Sequence, residues 1–553
     1  ETQGMLFNSY IFILAFLPIC LAGFWILSQK HMGSYDRASQ NGMSKNDLSC
    51  SWCSKSDRSA LGAKLWLIGF SFIFYAYFNV KYLMLLFVLM AVNYAAHCGI
   101  VRRRETCQNL HYDECNGQEE SASPRVRRAG HIIMICAVIL DLTALVYFKY
   151  MNFFITSVNS AFNANHCLKN IMLPLGISFI VFQQIGFLTN TYRTCSMKEK
   201  CSFVDYVLFS SFFPSISAGP ITTADEMIPQ FDAIGTKRID GEKFVRGFIL
   251  FVFGLSKKML LADKIGVGVD YGWNNELSMQ GPSCFILMLL YAFQLYFDFS
   301  GYCDMGRGIA QMLGMDLPVN FDSPYKAVNI VDFWKRWHIT LSRFFRDNVY
   351  IPLGGNRKGK ARTNINLFLV YLISGFWHGA GWNYIFWGIL HGILYVPTKI
   401  YLAWKKSHTR NMQNRGAGTT LHRLISVMLT FLYTSFACIY FRAPSVASGN
   451  GMIMRMFDGY PLVDRGLGRS FNTGVLWYVL KILHIDGYAM SDYLIMYAFL
   501  AVSFLVIFVL KRNAAEYAKK VRLNFGTALV FAVMLVICIM SMSNVTSFIY
   551  YKF

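Results

Sequence analysis

The sequence predicts an all-α, polytopic integral membrane protein, and two observations carry that class. Hydrophobic residues make up 55% of the chain and charged residues only 15%, whereas soluble domains hold nearer a quarter charged. The apolar residues also come in runs, about eleven of them near the roughly 20 residues a helix needs to cross the hydrocarbon layer. Inside lipid a spanning segment must satisfy its own backbone hydrogen bonds, which selects helices. The formal net charge of +21 fits cytoplasmic loops rich in Lys and Arg. No recognition motif speaks for nucleic acid, so none is expected as a partner.

Taken in order, Glu1 to Gly4 read as a possible tag remnant ahead of Met5. The run that follows, "MLFNSYIFILAFLPICLAGFWIL", is too long for a cleaved signal peptide and lacks a basic leader, so it reads as the first span. Residues 29–60 form a polar loop rich in Ser, Asn and Lys, and spans follow near 61–78 and 80–100. Arg102 to Arg104 and then Arg125, Arg127 and Arg128 flank the next loop. Six arginines at two span ends place that loop in the cytoplasm and the N-terminus outside. Further runs lie near 130–150, 171–192, 203–221, 244–262, 283–300, 364–378, 382–404, 421–441, 489–510 and 525–548. The run at 203–221 is interrupted by Pro214 and Gly219-Pro220, which predicts a kinked or re-entrant segment. Residues 443–473 are a loop rich in Gly and Arg.

Of fourteen cysteines, Cys20, Cys136, Cys284, Cys438 and Cys538 sit in apolar runs as small core residues. Cys50 and Cys53 form a C-x-x-C, and Cys107 and Cys115 flank His111. That spacing is poor for zinc, and free thiols in reducing cytoplasm account for it, so no metal site is expected.

The segment "DFWKRWHITLSRFF", Asp332 to Phe345, is neither a span nor an ordinary loop. On a continuous helix, Trp334, Trp337, Leu341, Phe344 and Phe345 share one face, with His338 about 40° from Trp334. Lys335, Arg336, Arg343, Arg346 and Asp347 take the other. This predicts an amphipathic helix in the membrane interface, its histidine turned inward. The eight Lys or Arg from Lys335 to Arg362 grip anionic lipid, dock a polyanion such as coenzyme A or an acidic carrier protein, or do both. "PLGGNRKGK" lacks the Walker spacing and is not a nucleotide loop.

A second Trp-His pair lies in "GFWHGAGWNYIFWGILHG", where Gly375, Gly379 and Gly381 surround His378. A titratable side chain at membrane depth is costly and defaults to a functional hypothesis. A histidine hydrogen-bonded between packed helices is the equal alternative. On an unbroken helix His391 lies about 220° around and about 20 Å along from His378. The two share a site only if the glycines bend the chain, so His391 reads as structural, one turn from Trp387. Upstream, "YFDFSGYCDMGRG" places Asp298, Ser300 and Asp304 near the end of an apolar run, where the carboxylates orient an imidazole or pair with Arg307. Asp141, alone in its run, has no partner the sequence names.

Six segments together carry a resemblance: "MLFNSYIFI", "FFPSISAGPI", "GLSKKMLLADKI", "YFDFSGYCDMGRGIAQMLGMDLPVNFDSPY", "DFWKRWHITLSRFFRDNVYIPLGGNRKG" and "GFWHGAGWNYIFWGILHG". In this order they resemble the membrane-bound O-acyltransferase family and, more narrowly, its alginate O-acetylation branch. The resemblance implies a catalytic membrane core over 5–442, with cytoplasmic and extracytoplasmic funnels meeting at a catalytic histidine. A C-terminal loop and further transmembrane helices fill 443–553. His378 matches the catalytic histidine, and His338, an asparagine in eukaryotic relatives, matches the one that assists. Trp377, Trp382, Trp337, Asp298, Ser300 and Asp304 are expected along the substrate channel, and Lys335, Arg336, Arg343 and Arg346 at the donor-docking face. The donor implied is an acyl thioester, acetyl-coenzyme A or an acyl carrier protein, used as substrate with no bound cofactor. The acyl group, most often acetyl in this branch, passes outward to a surface polysaccharide or to a secreted, SGNH-like partner transferase. D-alanyl transfer to teichoic acid by a related branch uses the same motif pair. The implied location is the bacterial inner membrane, crossed many times and in contact with lipid. Two places depart from the branch: the 29–60 loop is longer than usual, and the chain after about 443 matches loosely.

Chemically, acyl transfer to a hydroxyl needs a base. An imidazole suits it near neutral pH, and His378 fills the role either as base or as a transient acyl carrier. A transporter or flippase of a surface-glycan precursor is the rival reading. It suits the intramembrane acids and the broken run at Pro214, but it gives the two Trp-His segments no task.

Overall fold

The structure is a computed structural model that describes residues 5–29, 45–112, 124–193, 201–234, 240–408, 420–472, 475–482, 484, 490–544 and 549. Among the described residues all regular structure is helical. Among the described residues, seven helices are long and apolar enough to cross a membrane: 60–78, 80–103, 128–162, 282–312, 382–408, 420–442 and 491–509. Two shorter apolar helices lie at Phe12–Ser28 and Phe525–Met540. The chain is a multi-pass membrane protein. The expected count near eleven is not reached by long apolar helices alone. The run near 171–192 shows why, because its helix, Ile177–Arg193, is only 17 residues long and includes the polar pair Gln183 and Gln184.

The chain forms two compact units, Glu1–Phe248 with Gly306–Pro318, and Ile249–Met305 with Val319–Phe553. The residues after 442 group with the second unit.

The first unit holds α1 (Leu17–Gln29), α2 (Lys45–Phe78), α3 (Val80–Tyr112), α4 (Pro124–Leu145), α5 (Met151–Phe162), α6 (Ile177–Arg193), α7 (Phe203–Ser211), α8 (Phe213–Ile216), α9 (Ala224–Asp232) and the first half of α10 (Gly241–Ser256). Rings of Phe7, Phe12, Phe16, Phe74 and Phe213 pack together in its core. Helix α2 begins at Lys45, inside the stretch expected to be a loop. Residues 45–60 contain neither Gly nor Pro, so nothing stops the span from extending upstream as helix. The break at Pro214 is as expected: α7 ends at Ser211, α8 is a single turn, and the irregular backbone beyond it is buried. Non-helical backbone in a membrane protein needs that cover. Asp141 has a partner the sequence did not reveal, since Asn93 Nδ2 donates to its Oδ1 at 2.8 Å. The side chains of Cys50, Cys53, Cys107, His111 and Cys115 lie outside the described residues. Among the described residues no group of three His, Cys, Asp or Glu is placed to hold a metal.

The second unit continues with α11 (Asp263–Asn274), α12 (Pro282–Met312, up to Met305), α13 (Ile330–Arg336), α14 (Ile339–Phe345), α15 (Gly359–His378), α16 (Trp382–His408), α17 (Thr420–Arg442) and α18 (Val446–Met456). It ends with α19 (Arg465–Arg469), α20 (Val475–Ile482), α21 (Ser491–Phe504), α22 (Ala514–Lys520) and α23 (Phe525–Met540). It contains both Trp-His segments.

Candidate active site

The site starts from a helical hairpin. Helix α15 ends at His378, the chain turns through Gly379–Gly381, and α16 returns along α15. The two backbones nearly touch. A Cβ on Gly375 would lie 2.4 Å from the Tyr384 carbonyl oxygen, and one on Gly388 would lie 2.5 Å from that of Tyr371. Only glycine permits that approach. The bend meets the condition under which the two histidines can share a site, and His378 and His391 line the same cavity.

That cavity measures about 10 Å³, the threshold for a single water. Trp337, Phe333, Trp387 and Phe441 form much of its aromatic wall, with Thr434 and Cys438 completing one side. Its two histidines are 3% and 1% exposed. The ring of Trp387 stands between them, 5.1 Å from His378 and 4.5 Å from His391 by centroids. Phe441 closes on His378 at 5.1 Å. A space this small and enclosed by aromatic rings has a low effective dielectric, which strengthens any electrostatic contact made inside it.

His338 is turned inward and buried as the wheel predicts, but the backbone that carries it is different. The stretch 332–347 is not one helix: α13 stops at Arg336, and His338 sits in the left-handed region (φ 45°, ψ 55°) as the first residue of the next turn. The reason lies 18 residues upstream. Asn320 offers its carbonyl oxygen to the Ile339 N–H (3.0 Å), and Asp322 N–H takes the Arg336 carbonyl (2.9 Å). These bonds replace helical ones across the break. The apolar face survives the break, with Phe333, Trp334, Trp337, Leu341, Phe344 and Phe345 all buried.

Asn320 also sets the chemistry of His338. Its Oδ1 accepts from the Thr340 backbone N–H (3.3 Å) and hydroxyl (3.0 Å). A backbone N–H can only donate, so the amide oxygen must face it. His338 Nδ1, 3.1 Å from the same oxygen, is therefore the protonated nitrogen, and Nε2 is the one able to accept. Burial pushes this imidazole down to about 3, so it is neutral at physiological pH. His338 does not line the cavity. The Trp377 ring lies between the two motif histidines, 6.3 Å from His338 and 4.9 Å from His378.

A model of the MBOAT, membrane-bound O-acyltransferase, family matches residues 195–442, the stretch that contains all of these side chains. The peptidoglycan O-acetyltransferase of Helicobacter pylori is 36% identical over 468 residues, which is 80% of this chain and 78% of that protein. The chain belongs to the membrane-bound O-acyltransferase family. The probable alginate O-acetylase AlgI of Pseudomonas syringae is 31% identical over 85% of this chain and 79% of its own. The teichoic acid D-alanyltransferase of Bacillus subtilis is 27% identical over 50% of this chain and 70% of its own.

The other candidate residues of this acyltransferase are distributed as follows. Trp337 lines the cavity. Trp382 does not; it is 62% exposed at the start of α16, and Trp387 takes the place expected for it. Asp298 and Asp304 pair with lysines instead of orienting a histidine. Lys258 Nζ lies 2.6 Å from Asp298 and 2.8 Å from Asp263, all three deeply buried. Lys257 Nζ lies 2.6 Å from Asp304 and 3.4 Å from the Ser300 hydroxyl. Arg307 Nε donates to the Leu317 carbonyl. On the basic segment, Lys335 and Arg346 are exposed and Arg343 is half-buried. Arg336 pairs with Asp332 and Arg346 with Asp347. Sequence reasoning missed Asn320, Phe441 and Thr434. Asn320 stood inside a matching segment, "PVNFDSPY", without a signal of its own. Phe441 and Thr434 come from a helix far along the chain.

Proposed function

We propose that this acyltransferase takes an acetyl group from a cytoplasmic thioester and passes it to a hydroxyl of an extracytoplasmic polysaccharide, directly or through a partner transferase. The observation that carries the reading is His378, buried at a helix end against a small, mostly aromatic cavity beside the glycine hairpin. The printed activities of the relatives, O-acetylation of peptidoglycan and of alginate, support acetyl as the acyl group and a glycan as acceptor. His378 takes the hydroxyl proton as the oxygen attacks the thioester carbonyl, then returns it to the departing sulfur. Trp337, Trp387 and Phe441 keep out water that would hydrolyse the thioester. His338, neutral and protonated at Nδ1, supports this centre through Trp377, whose ring packs near both histidines. The basic segment with Lys335, Arg336, Arg343 and Arg346 receives the anionic donor, coenzyme A or a carrier protein. The location that fits is the bacterial inner membrane, where the donor is made on one side and the acceptor waits on the other.

The test is His378→Ala in cells whose own copy is deleted. Ester-linked acetate on the surface glycan should disappear while the variant remains folded in the membrane. Acetylation at the normal level would refute the reading.

A further inference from the structure

The cavity contains two polar groups that packing alone does not explain. Among the described residues, neither the indole nitrogen of Trp387 nor Nδ1 of His391 has a hydrogen-bond partner. Both side chains are buried, at 4% and 1% exposure, and both line the cavity with His378. An indole nitrogen is a donor and nothing else. A buried donor left unmet is destabilising, and most native structures avoid it, so each exception calls for an explanation. Trp334 beside them is similarly unmet at its nitrogen but does not line the cavity. Only Trp387 and His391 bring such atoms to the wall of a space that also holds the base.

We propose that Trp387 Nε1–H and the protonated ring nitrogen of His391 form the oxyanion-stabilising pair of this enzyme. The inference rests on His378 being the base at this centre. In the step, the acceptor hydroxyl gives its proton to His378, and its oxygen bonds to the carbonyl carbon of the thioester. The carbonyl π pair moves onto the carbonyl oxygen, and the two N–H groups meet that negative charge. The pair then returns, the C–S bond breaks, and sulfur leaves with the proton from His378. His391 serves as the Nδ1–H tautomer, a donor fixed in place by Trp387 at 4.5 Å and Trp334 at 5.2 Å. Donors held in a dry site before the charge develops need no reorganisation when it does.

The test measures the rate of ester-linked acetate appearance on the surface glycan, per folded protein in the membrane, for Trp387→Phe, His391→Phe, His391→Gln and His378→Ala. Phe keeps the aromatic contact and removes the donor; Gln restores an N–H. Loss of one such donor costs about 10²–10³-fold elsewhere, so Trp387→Phe and His391→Phe should each slow transfer about 100-fold. His391→Gln should recover at least a tenfold part of its loss, and the melting temperatures in detergent should stay near that of the parent. The proposal is overturned if the two Phe variants acetylate at the parent rate, if their losses track unfolding, or if Gln is no better than Phe at 391. Those results with His378→Ala inactive would remove this inference alone. Activity of His378→Ala would remove the base and the proposed function with it.

Discussion

At the scale of single residues, Asn320 does the most with one side chain. Its Oδ1 serves Thr340 twice and His338 once, so it holds the chain break and the imidazole tautomer together. Asn320→Leu should strip three donors of their acceptor, at about 1–3 kcal/mol for each unmet buried group, and should lower acetyl transfer more than tenfold. Asn320→Asp keeps an acceptor at the same place and should retain more of both. Thermal unfolding and acetate release read the two effects separately. Position 338 carries a second constraint. Left-handed backbone at a non-glycine residue is uncommon and favours Asn, Asp and His. His338→Asn therefore costs little backbone energy, consistent with the asparagine the family resemblance implies there, whereas a β-branched residue would have to unseat the break. The sequence made His338 a candidate but hid its setting, because the residue that shapes it lies 18 positions away.

At the scale of elements, the α15–α16 hairpin decides whether a site exists. Gly375→Val would push a branched side chain into the backbone of the facing helix, where no rotamer change relieves the 2.4 Å contact. Overpacking of this kind costs about 1–3 kcal/mol or more, and here it should separate His378 from His391 and abolish transfer. Gly62→Ala is the control. Nothing lies within 4 Å of a Cβ there, so that change should leave activity intact and stabilise α2 by up to about 1 kcal/mol. Thermal melts and acetylation assays on both variants check the contrast. The glycines around His378 were legible, and so was the condition under which His378 and His391 meet. Whether the chain met that condition was not legible, because periodicity assumes an unbroken helix. The same assumption hid the helix break at His338, although it turned the residue inward as found.

At the scale of the whole molecule, the membrane class followed from composition and run length, and the family from the two Trp-His segments. The acids were harder, because a carboxylate in an apolar run looks the same whether it serves a channel or a lysine. Lys258, Asp263 and Asp298 form a buried cluster within the second unit, and Asp298 Oδ2 also accepts from the Ile549 backbone N–H at 2.9 Å. Removing one member of a buried ion pair costs about 3–5 kcal/mol. Lys258→Met should therefore destabilise strongly, because it leaves two carboxylates facing each other, and Asp298→Asn should destabilise less; unfolding in detergent would rank them. The link to Ile549 spans 251 residues. At a ribosomal pace of about 5–20 residues per second, Asp298 waits roughly 10–50 s after synthesis before that amide is made. Through that interval the three charges can already pair while one carboxylate oxygen still lacks its amide donor, so assembly of the second unit cannot close strictly in the order in which the ribosome delivers it.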